Sequence, residues 1–494
     1  MQEYSTLAAV DLGSNSFRLQ VARVVDEQLY PLDSLRETVR LAGGLDANKC
    51  LDEASQQRAL ECLARFGERL RGLPRQAVRV VGTSTFRVAK NANEFLHKAE
   101  AALGFPIEIV AGREEARLIY IGVAHSLPAS SSRRLVVDIG GGSTECIIGH
   151  GFTPDKMESL HMGCVNFAQR FFPDGKVDKA SLKQAELAAR AEVQCIARDF
   201  KAGEWDEAVG SSGTARALVD ILEQSGYSAG GITLDGLAQL RSAMLKAGDS
   251  KRFDFPGMKP DRKPVLAGGF AVMSAIFAEL GIERMTLASA AMREGILYDL
   301  LGRFHHHDLR DVTTNQFMRR YHVDPTQAER VERLAVTLFE QSDAARQDST
   351  EGALQFLKWA ARLHEIGISI AHGGYHKHSA YIVQNADMPG FSRMEQGRLA
   401  LLLRGQRGTL AKVPELLDHR ENWLLIACLR LAVMFYRSRA DIVLPEMSLQ
   451  YGDIDCRLQI DRGWLEQNPL TEAALSDEAR EWKGIGMSFL MGAS

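Results

Sequence analysis

Val10-Asp11-Leu12-Gly13-Ser14-Asn15-Ser16, near the start of the chain, and Val137-Asp138-Ile139-Gly140-Gly141-Gly142-Ser143-Thr144, well downstream, share one grammar. Each is an apolar strand ending in Asp, then a turn of Gly and Ser. Each then re-enters a strand-like stretch, Phe17-Arg18-Leu19-Gln20-Val21 and Glu145-Cys146-Ile147-Ile148. A strand–turn–strand with small residues at its tip exposes backbone N–H groups in a concavity that suits phosphate oxygens. An Asp at the strand end can hold a divalent cation, directly or through water. Gly-Ser-Asn is also ordinary turn chemistry, but two unrelated hairpins rarely place Asp-x-Gly at the same point. Three consecutive glycines forfeit backbone entropy, which makes sense where the backbone closely approaches a ligand. The pair predicts two facing halves gripping one phosphorylated ligand.

Outward from these hairpins the chain reads as α/β. Helical spacing recurs over 53–71, Val78–Val81 is a short buried strand, 91–103 is a helix closed by Gly104 and Pro106, and a strand at 107–110 precedes a helix at 114–124. Pro128-Ala129-Ser130-Ser131-Ser132 is a polar break suited to a hinge, after which the second unit starts at Leu135. From 325 to 440 helical periodicity dominates, with Val331, Leu334, Ala335 and Leu338 as one stripe. Strand-like pieces at 447–451 and 456–460 suggest a small β-rich or α+β end. The predicted domains are 1–124, 125–302, 303–440 and 441–494.

At 494 residues the chain exceeds one ordinary core. Its net charge of −4 and pI near 6.4 advertise no polyanion or nucleic-acid partner globally, so any such site is a local basic patch. Seven scattered cysteines without a CxxC pair read as reduced thiols, consistent with a cytoplasmic protein. No apolar run of membrane-spanning length and no signal-peptide pattern is expected, with peripheral membrane attachment left open.

Further motifs carry chemistry. Gly210-Ser211-Ser212-Gly213-Thr214 opens a helix, whose N-terminus favours anions. Gly112-Arg113-Glu114-Glu115 starts another: the acids suit the helix dipole, or one of them is a general base for water. Gly82-Thr83-Ser84-Thr85-Phe86-Arg87 follows a strand, and its Arg suits phosphate. Leu363-His364-Glu365-Ile366-Gly367, with His372, His376 and His378, suggests a helical metal centre, but a Glu follows His364 where such centres carry Asp, and a structural remnant is favoured. The His305–His307 run reads as a polar linker.

The hairpins resemble those of the superfamily of acetate and sugar kinases, heat-shock chaperones and actin. More narrowly, VDLGSNSFRL (10–19), VGTSTFR (81–87), AGREEARLIYIGV (111–123), VVDIGGGSTE (136–145), GCVNFAQRFFP (163–173), GSSGTARA (210–217), MREGILYD (292–299), LHEIG (363–367) and HKHSAYIVQNADMPGF (376–391) resemble the exopolyphosphatase/guanosine pentaphosphate phosphohydrolase family over nearly the full length. The resemblance implies an α/β fold of two actin-like (ribonuclease H-like) domains, an all-helical HD-like domain and a small C-terminal α+β domain. It places the catalytic Glu at Glu115. Phosphate binding falls on Gly13, Ser14, Asn15, Arg87, Gly140, Gly141, Gly142, Ser143, Gly213 and Thr214, and metal-linked carboxylates on Asp11, Asp138 and Glu145. Mg²⁺, with other divalent cations as substitutes, is the implied cofactor, and a homodimer the implied assembly. Glu365 departs from a metal-binding HD pattern.

The expected reaction is hydrolysis of the terminal phosphate of inorganic polyphosphate, with Glu115 as base and Arg18, Arg36, Arg40, Arg87, Lys90 and, further out, Arg404 and Arg407 as basic contacts. The linker 302–310 and the 376–391 block look more like the exopolyphosphatase branch. The alternative is hydrolysis of guanosine pentaphosphate (pppGpp) to ppGpp, or both on one site. An ATP-using kinase and an actin-like filament or sensing scaffold are further readings.

Overall fold

The computed structural model describes residues 4–25, 28–46, 48–128, 132–304, 308–342, 350–413, 420–452 and 455–493. Residues 129–131 of the expected hinge and the His305–His307 run lie outside these described residues. The chain forms two compact units, 1–308 and 309–494.

The first unit contains two sheets. One is built from β1 (Thr6–Leu12), β2 (Phe17–Val25), β3 (Gln28–Glu37), β4 (Val78–Gly82) and β5 (Glu108–Ile109), in the order β3-β2-β1-β4-β5. The other comprises β6 (Arg134–Ile139), β7 (Thr144–His150), β8 (Thr153–Leu160), β9 (Glu207–Ser211), β10 (Ile232–Thr233) and β11 (Arg284–Leu287), in the order β10-β11-β9-β6-β7-β8. Without the added β10, the second order repeats the first: an antiparallel meander of three strands, then parallel strands reached through helices. The repeat extends to register. Asp11 lies opposite Arg18 and Asp138 opposite Glu145, each Asp one residue before the strand ends. This is the α/β architecture that the resemblance to actin-like domains implies.

Both central strands, β1 and β6, are apolar nearly throughout, because each is covered on both faces. Helices Glu53–Leu70 and Ala92–Leu103 cover one face of the first sheet through Leu63, Phe66, Phe95 and Leu103. On the second sheet, Lys179–Phe200 and Leu266–Leu280 do the same. By length and composition Pro260–Leu280 could cross a membrane, contrary to the reading that no run was long enough. Its helical part is a core helix: Phe270, Val272, Ile276 and Leu280 are buried in the second sheet's core.

Helices Gly112–Ser126 and Met292–Phe304 fill the space between the sheets, sharing a core with Val81, Val136 and Val209. They cross with backbones touching. A Cβ added to Gly122 would fall on the carbonyl of Ala291, and one added to Gly295 on the carbonyl of Leu118. Below this crossing lies a buried ion network. Arg79 Nη1 and Arg117 Nη2 each donate to Asp299 at 2.5 Å, and Arg117 grips Glu114 with two bonds of 2.7 Å. Burial alone would raise the Asp299 carboxyl, but Arg117, Arg79 and Arg303 hold it well below the usual carboxylate range. Removing one member of such a network strands the others.

In the second unit, helices Leu309–Arg320, Pro325–Glu340, Thr350–Leu363, Tyr375–Asn385, Arg393–Gly405 and Arg420–Phe435 precede a sheet of β12 (Met447–Tyr451), β13 (Asp455–Ile460) and β14 (Ser488–Ala493). Helical and sheet residues share one core, from Phe317 and Trp359 through Leu425 to Leu458 and Trp482. The compact units are therefore two, and the four-part division of the sequence reading stands as a proposal about smaller modules.

The crossing yields a direct test. Gly295→Ala should cost about 3 kcal/mol, at the upper end for an overpacked site, because backbone rather than a movable side chain is in the way. Thermal denaturation should show a lowered Tm; an unchanged Tm would mean that the helices do not touch there.

Candidate active site

The two hairpin tips meet. A Cβ added to Gly141 would stand 3.0 Å from Ser14 Cβ and 3.4 Å from the Asn15 nitrogen; one on Gly142 would stand 2.8 Å from Ser84 Oγ. A larger side chain at Gly141 would push the tips apart and one at Gly142 would strike Ser84, whereas a Cβ at Gly140 would crowd only its own turn, 3.1 Å from the Ser143 carbonyl. Around the tips lies a cleft of about 110 Å³, lined by Asp11, Gly13, Ser14, Asn15, Glu115, Asp138, Gly140, Gly141, Ser143, Gly213 and Thr214 among others. Eleven of the fourteen predicted site residues thus line one cleft from segments up to 203 positions apart (Asp11 to Thr214). The hydroxyls are tied down: Thr85 Oγ1 donates to Ser14 Oγ at 2.8 Å, and Thr214 Oγ1 to the Ile139 carbonyl at 2.9 Å.

Arg87, Gly142 and Glu145 are not in that lining. Gly142 packs behind, against Ser84. Arg87 reaches the site through Glu115 instead: its Nη1 donates to Glu115 Oε2 at 2.7 Å and to the Val110 carbonyl at 3.0 Å. Glu145, 1 % exposed, accepts from Ser159 Oγ at 2.8 Å. Burial works against the Arg87 charge, yet Glu115 and then Glu145 hold its pKa above the ordinary value. Arg87 therefore sits in the field of both carboxylates and orients the one that faces the cleft.

Glu115 lies in the first turn of Gly112–Ser126 and is 7 % exposed. Its charge presses on three other acids. Burial, reinforced by Glu115 and Glu294, pushes Asp11 up to about 6 despite Arg18 and Arg293. Burial pushes Asp138 up to about 7, with Glu115 and Asp11 adding to it and a hydrogen bond from Ser211 opposing it. Glu145 is raised by burial, then by Glu115 and Asp138. Such a concentration of negative charge calls for a cation. Among the described residues no three His, Cys, Asp or Glu side chains are grouped as direct ligands. The acids on the cleft wall, Asp11 and Asp138, fit a hard cation that keeps most of its waters, as Mg²⁺ does.

A second chamber of about 260 Å³ adjoins the cleft and shares Arg18, Ser212, Gly213, Arg262 and Ala291 with it. Arg36, Arg216, Lys259 and Arg293 complete its basic wall. Burial and then the charges of Arg18 and Arg262 lower the Arg36 pKa, although Asp261 stands 3.5 Å away. Arg293 Nε is buried without a hydrogen-bond partner among the described residues. Gly213 leaves room for Arg262, whose guanidinium occupies the place a Cβ would take. Ser212 holds a left-handed backbone, φ 80°, at this junction. Arg18 and Arg36 were legible as basic neighbours of the first hairpin. Arg216 and Arg293 lie in the quoted segments 210–217 and 292–299 but were not read as basic contacts, and Arg262 lies in no quoted motif.

Residues 20–304 match the model of the Ppx/GppA phosphatase family, and residues 309–479 match that of its domain III. The chain belongs to the Ppx/GppA phosphatase family. Its relatives within that family include two proteins named guanosine-5'-triphosphate,3'-diphosphate pyrophosphatase. One, from Pseudoalteromonas translucida, is 37% identical over 487 residues, covering 98% of both chains. The other, from Aeromonas hydrophila, is 39% identical over 483 residues, covering 97% of both. The crystal structure of the Aquifex aeolicus Ppx/GppA family member superimposes with a TM-score of 0.51 at 25% identity, over 61% of this chain and 99% of that one. An exopolyphosphatase from Cytophaga hutchinsonii shares the fold, with a TM-score of 0.55 at 22% identity over 60% of this chain and 98% of that one.

The full-length relatives correct the expected exopolyphosphatase assignment. That branch was chosen on the linker 302–310 and the block 376–391. The block belongs to the second compact unit, whereas the cleft and its basic chamber are built wholly from the first.

The raised acids set a pH dependence. A carboxyl whose pKa rises on folding stabilises the fold below its unfolded value, and that contribution is lost as pH rises through the folded value. Without divalent cations, stability should therefore fall between about pH 4 and pH 7 through Asp11 and Asp138. The double variant Asp11→Asn/Asp138→Asn should flatten that slope in denaturant titrations. An equal slope in the variant would show that these carboxyls are not electrostatically strained.

Proposed function

We propose that this chain hydrolyses the terminal 5'-phosphoanhydride of guanosine-5'-triphosphate,3'-diphosphate, releasing orthophosphate and leaving the 5'-diphosphate,3'-diphosphate. The observation that carries the reading is the continuity of the hairpin cleft with the arginine chamber. A substrate with phosphates at both ends of one nucleoside needs two anion sites a short distance apart. The names of the near full-length relatives support the same substrate.

In this reading the 5'-terminal phosphoryl group sits between the Gly13–Asn15 and Gly140–Ser143 tips; the Gly140 N–H is spent on the Ser143 carbonyl, and N–H groups further along the tips meet the phosphate oxygens. The N-terminus of the Ser212–Gln224 helix, with Gly213 and Thr214, adds a third contact. Glu115, oriented by Arg87, takes a proton from water. The water oxygen bonds to the terminal phosphorus as the bridging P–O bond breaks, and the shortened chain leaves with its electron pair. Mg²⁺ held through water by Asp11 and Asp138 would offset charge on the phosphate oxygens. Arg18 and Arg262 stand where cleft and chamber meet and neutralise the substrate between its two ends. Positioning and fixed charge supply most of the acceleration, as in other phosphoryl transfers. Other phosphate runs reach the same core, and the chamber favours the doubly phosphorylated nucleoside among them.

Steady-state kinetics on guanosine-5'-triphosphate,3'-diphosphate, GTP and long polyphosphate, at one salt and Mg²⁺ concentration, test this. The highest kcat/KM is expected for the first. Arg36→Ala and Arg293→Ala should raise its KM by about tenfold while changing GTP turnover little, the size of a lost charged hydrogen bond. Glu115→Gln should lower kcat by roughly a hundredfold to ten-thousandfold, the range for a general base, with binding retained. A higher kcat/KM on polyphosphate, or near-normal phosphate release by Glu115→Gln, would defeat the proposal.

A further inference from the structure

The second compact unit holds a cavity of about 510 Å³ that the proposed reaction does not use. This is the size of a small-molecule site. Two of its wall residues, His364 and Gln406, are 1 % and 2 % exposed. His364 Nδ1 lies 2.6 Å from the Ala361 carbonyl and so carries the proton, leaving Nε2 as a lone-pair acceptor. Gln406 Nε2 donates to the His364 carbonyl at 2.8 Å, which fixes the amide orientation and leaves Oε1 as an acceptor. Neither His364 Nε2 nor Gln406 Oε1 has a hydrogen-bond partner among the described residues. Buried acceptors left unmade are costly, and two lining one cavity point to a ligand that brings donors.

The same wall carries Arg407 and Arg437, for which no ion pair is found among the described residues. Arg430, by contrast, is held by Glu478, and Arg439 by Glu365 at 2.5 Å. Arg407 lies over the Tyr375 ring, 5.6 Å from its centroid, as a flat cationic surface. The wall also carries four carboxylates, each engaged: Glu365 by Arg439, Glu478 by Arg430, Asp477 by Arg480 and Glu481 by the Leu410 N–H, with His364 Nε2 3.8 Å from Glu365 Oε1, beyond hydrogen-bond reach. A plain anion would leave the two acceptors unanswered, and a polyamine would meet the guanidinium groups of Arg407 and Arg437. A metal ion finds no group of three ligands here, and Glu365 is already engaged. What satisfies both halves is a planar edge with adjacent N–H donors joined to phosphate. The Watson–Crick edge of guanine, with N1–H beside N2–H₂, has that pattern, and adenine does not. Bases also stack on arginine planes.

We propose that this cavity is a guanine-nucleotide site separate from the hydrolytic cleft, with His364 Nε2 and Gln406 Oε1 accepting from the base edge and Arg407 and Arg437 meeting the phosphates. The site stands on its own residues and does not rest on the reaction assigned to the cleft.

Calorimetric titration of the full-length chain with GDP, in a Glu115→Gln background, tests it. One class of GDP site should weaken by at least tenfold on Gln406→Leu, and equally on Arg437→Ala, a change at an exposed position that leaves the core intact. Arg262→Ala, in the cleft, should leave that class unchanged. ADP should bind it at least tenfold more weakly than GDP. The proposal is overturned if no class of GDP site responds to Gln406→Leu and Arg437→Ala, or if ADP or inorganic pyrophosphate binds that class as tightly as GDP. Failure of the cleft reading would appear elsewhere, as unaltered turnover in the Glu115→Gln chain.

Discussion

Negative charge confined in a small space governs the first unit. Asp11, Glu115, Asp138 and Glu145 lie within one another's fields in a poorly solvated region, and each raises the cost of ionising its neighbours. The protein answers with Arg87, which bonds Glu115 directly and feels Glu145 behind it. It also leaves a cation deficit on the cleft wall, which a hydrated divalent ion and the surrounding arginines are suited to meet. The glycine-rich tips, the backbone crossing of Gly122 and Gly295, and the buried Arg79–Asp299–Arg117 network all keep these charges in register.

The fold of this unit was legible because its signals are local. An Asp, a glycine turn and an apolar strand lie within ten residues of one another, and the repetition of that pattern announced the repeated sheet order. Glu115 was legible through resemblance alone, since two acids at a helix start have a sufficient local explanation. The arginine chamber was hidden as an assembly for a physical reason: only tertiary packing brings Arg216, Arg262 and Arg293 to the legible Arg18 and Arg36. Arg87 was placed on phosphate by its chemistry, but the same guanidinium geometry suits a carboxylate, and Glu115 is the nearer anion. Pro260–Leu280 shows the converse, since a core helix of a large domain is as apolar as a membrane segment and only its neighbours tell them apart.

The second unit is organised around helices that carry their own polar interior. Arg430 anchors two carbonyls, Gly405 and Gly408, while Glu478 takes its remaining donors. Trp482 donates to the same Glu478 at 2.8 Å, so the end of Pro469–Gly484 is tied to the helical bundle by a satisfied network. Against that background the unanswered atoms of His364 and Gln406 share one cavity wall, while Arg430, Glu478 and Trp482 beside them are satisfied.

The two hairpins share one grammar, yet the residue facing each strand-end Asp differs: arginine in one lobe, glutamate in the other. That single inequality divides labour between matched halves. In one copy the cross-strand Arg18 lines the cleft and its basic chamber, and in the other the buried Glu145 acts on Arg87 behind Glu115. A protein assembled from two like pieces gains direction in this way, with a cation on the cleft side of one hairpin and a buried acid in the other. Exchanging the pair, Arg18→Glu with Glu145→Arg, would keep the net charge and lose the polarity.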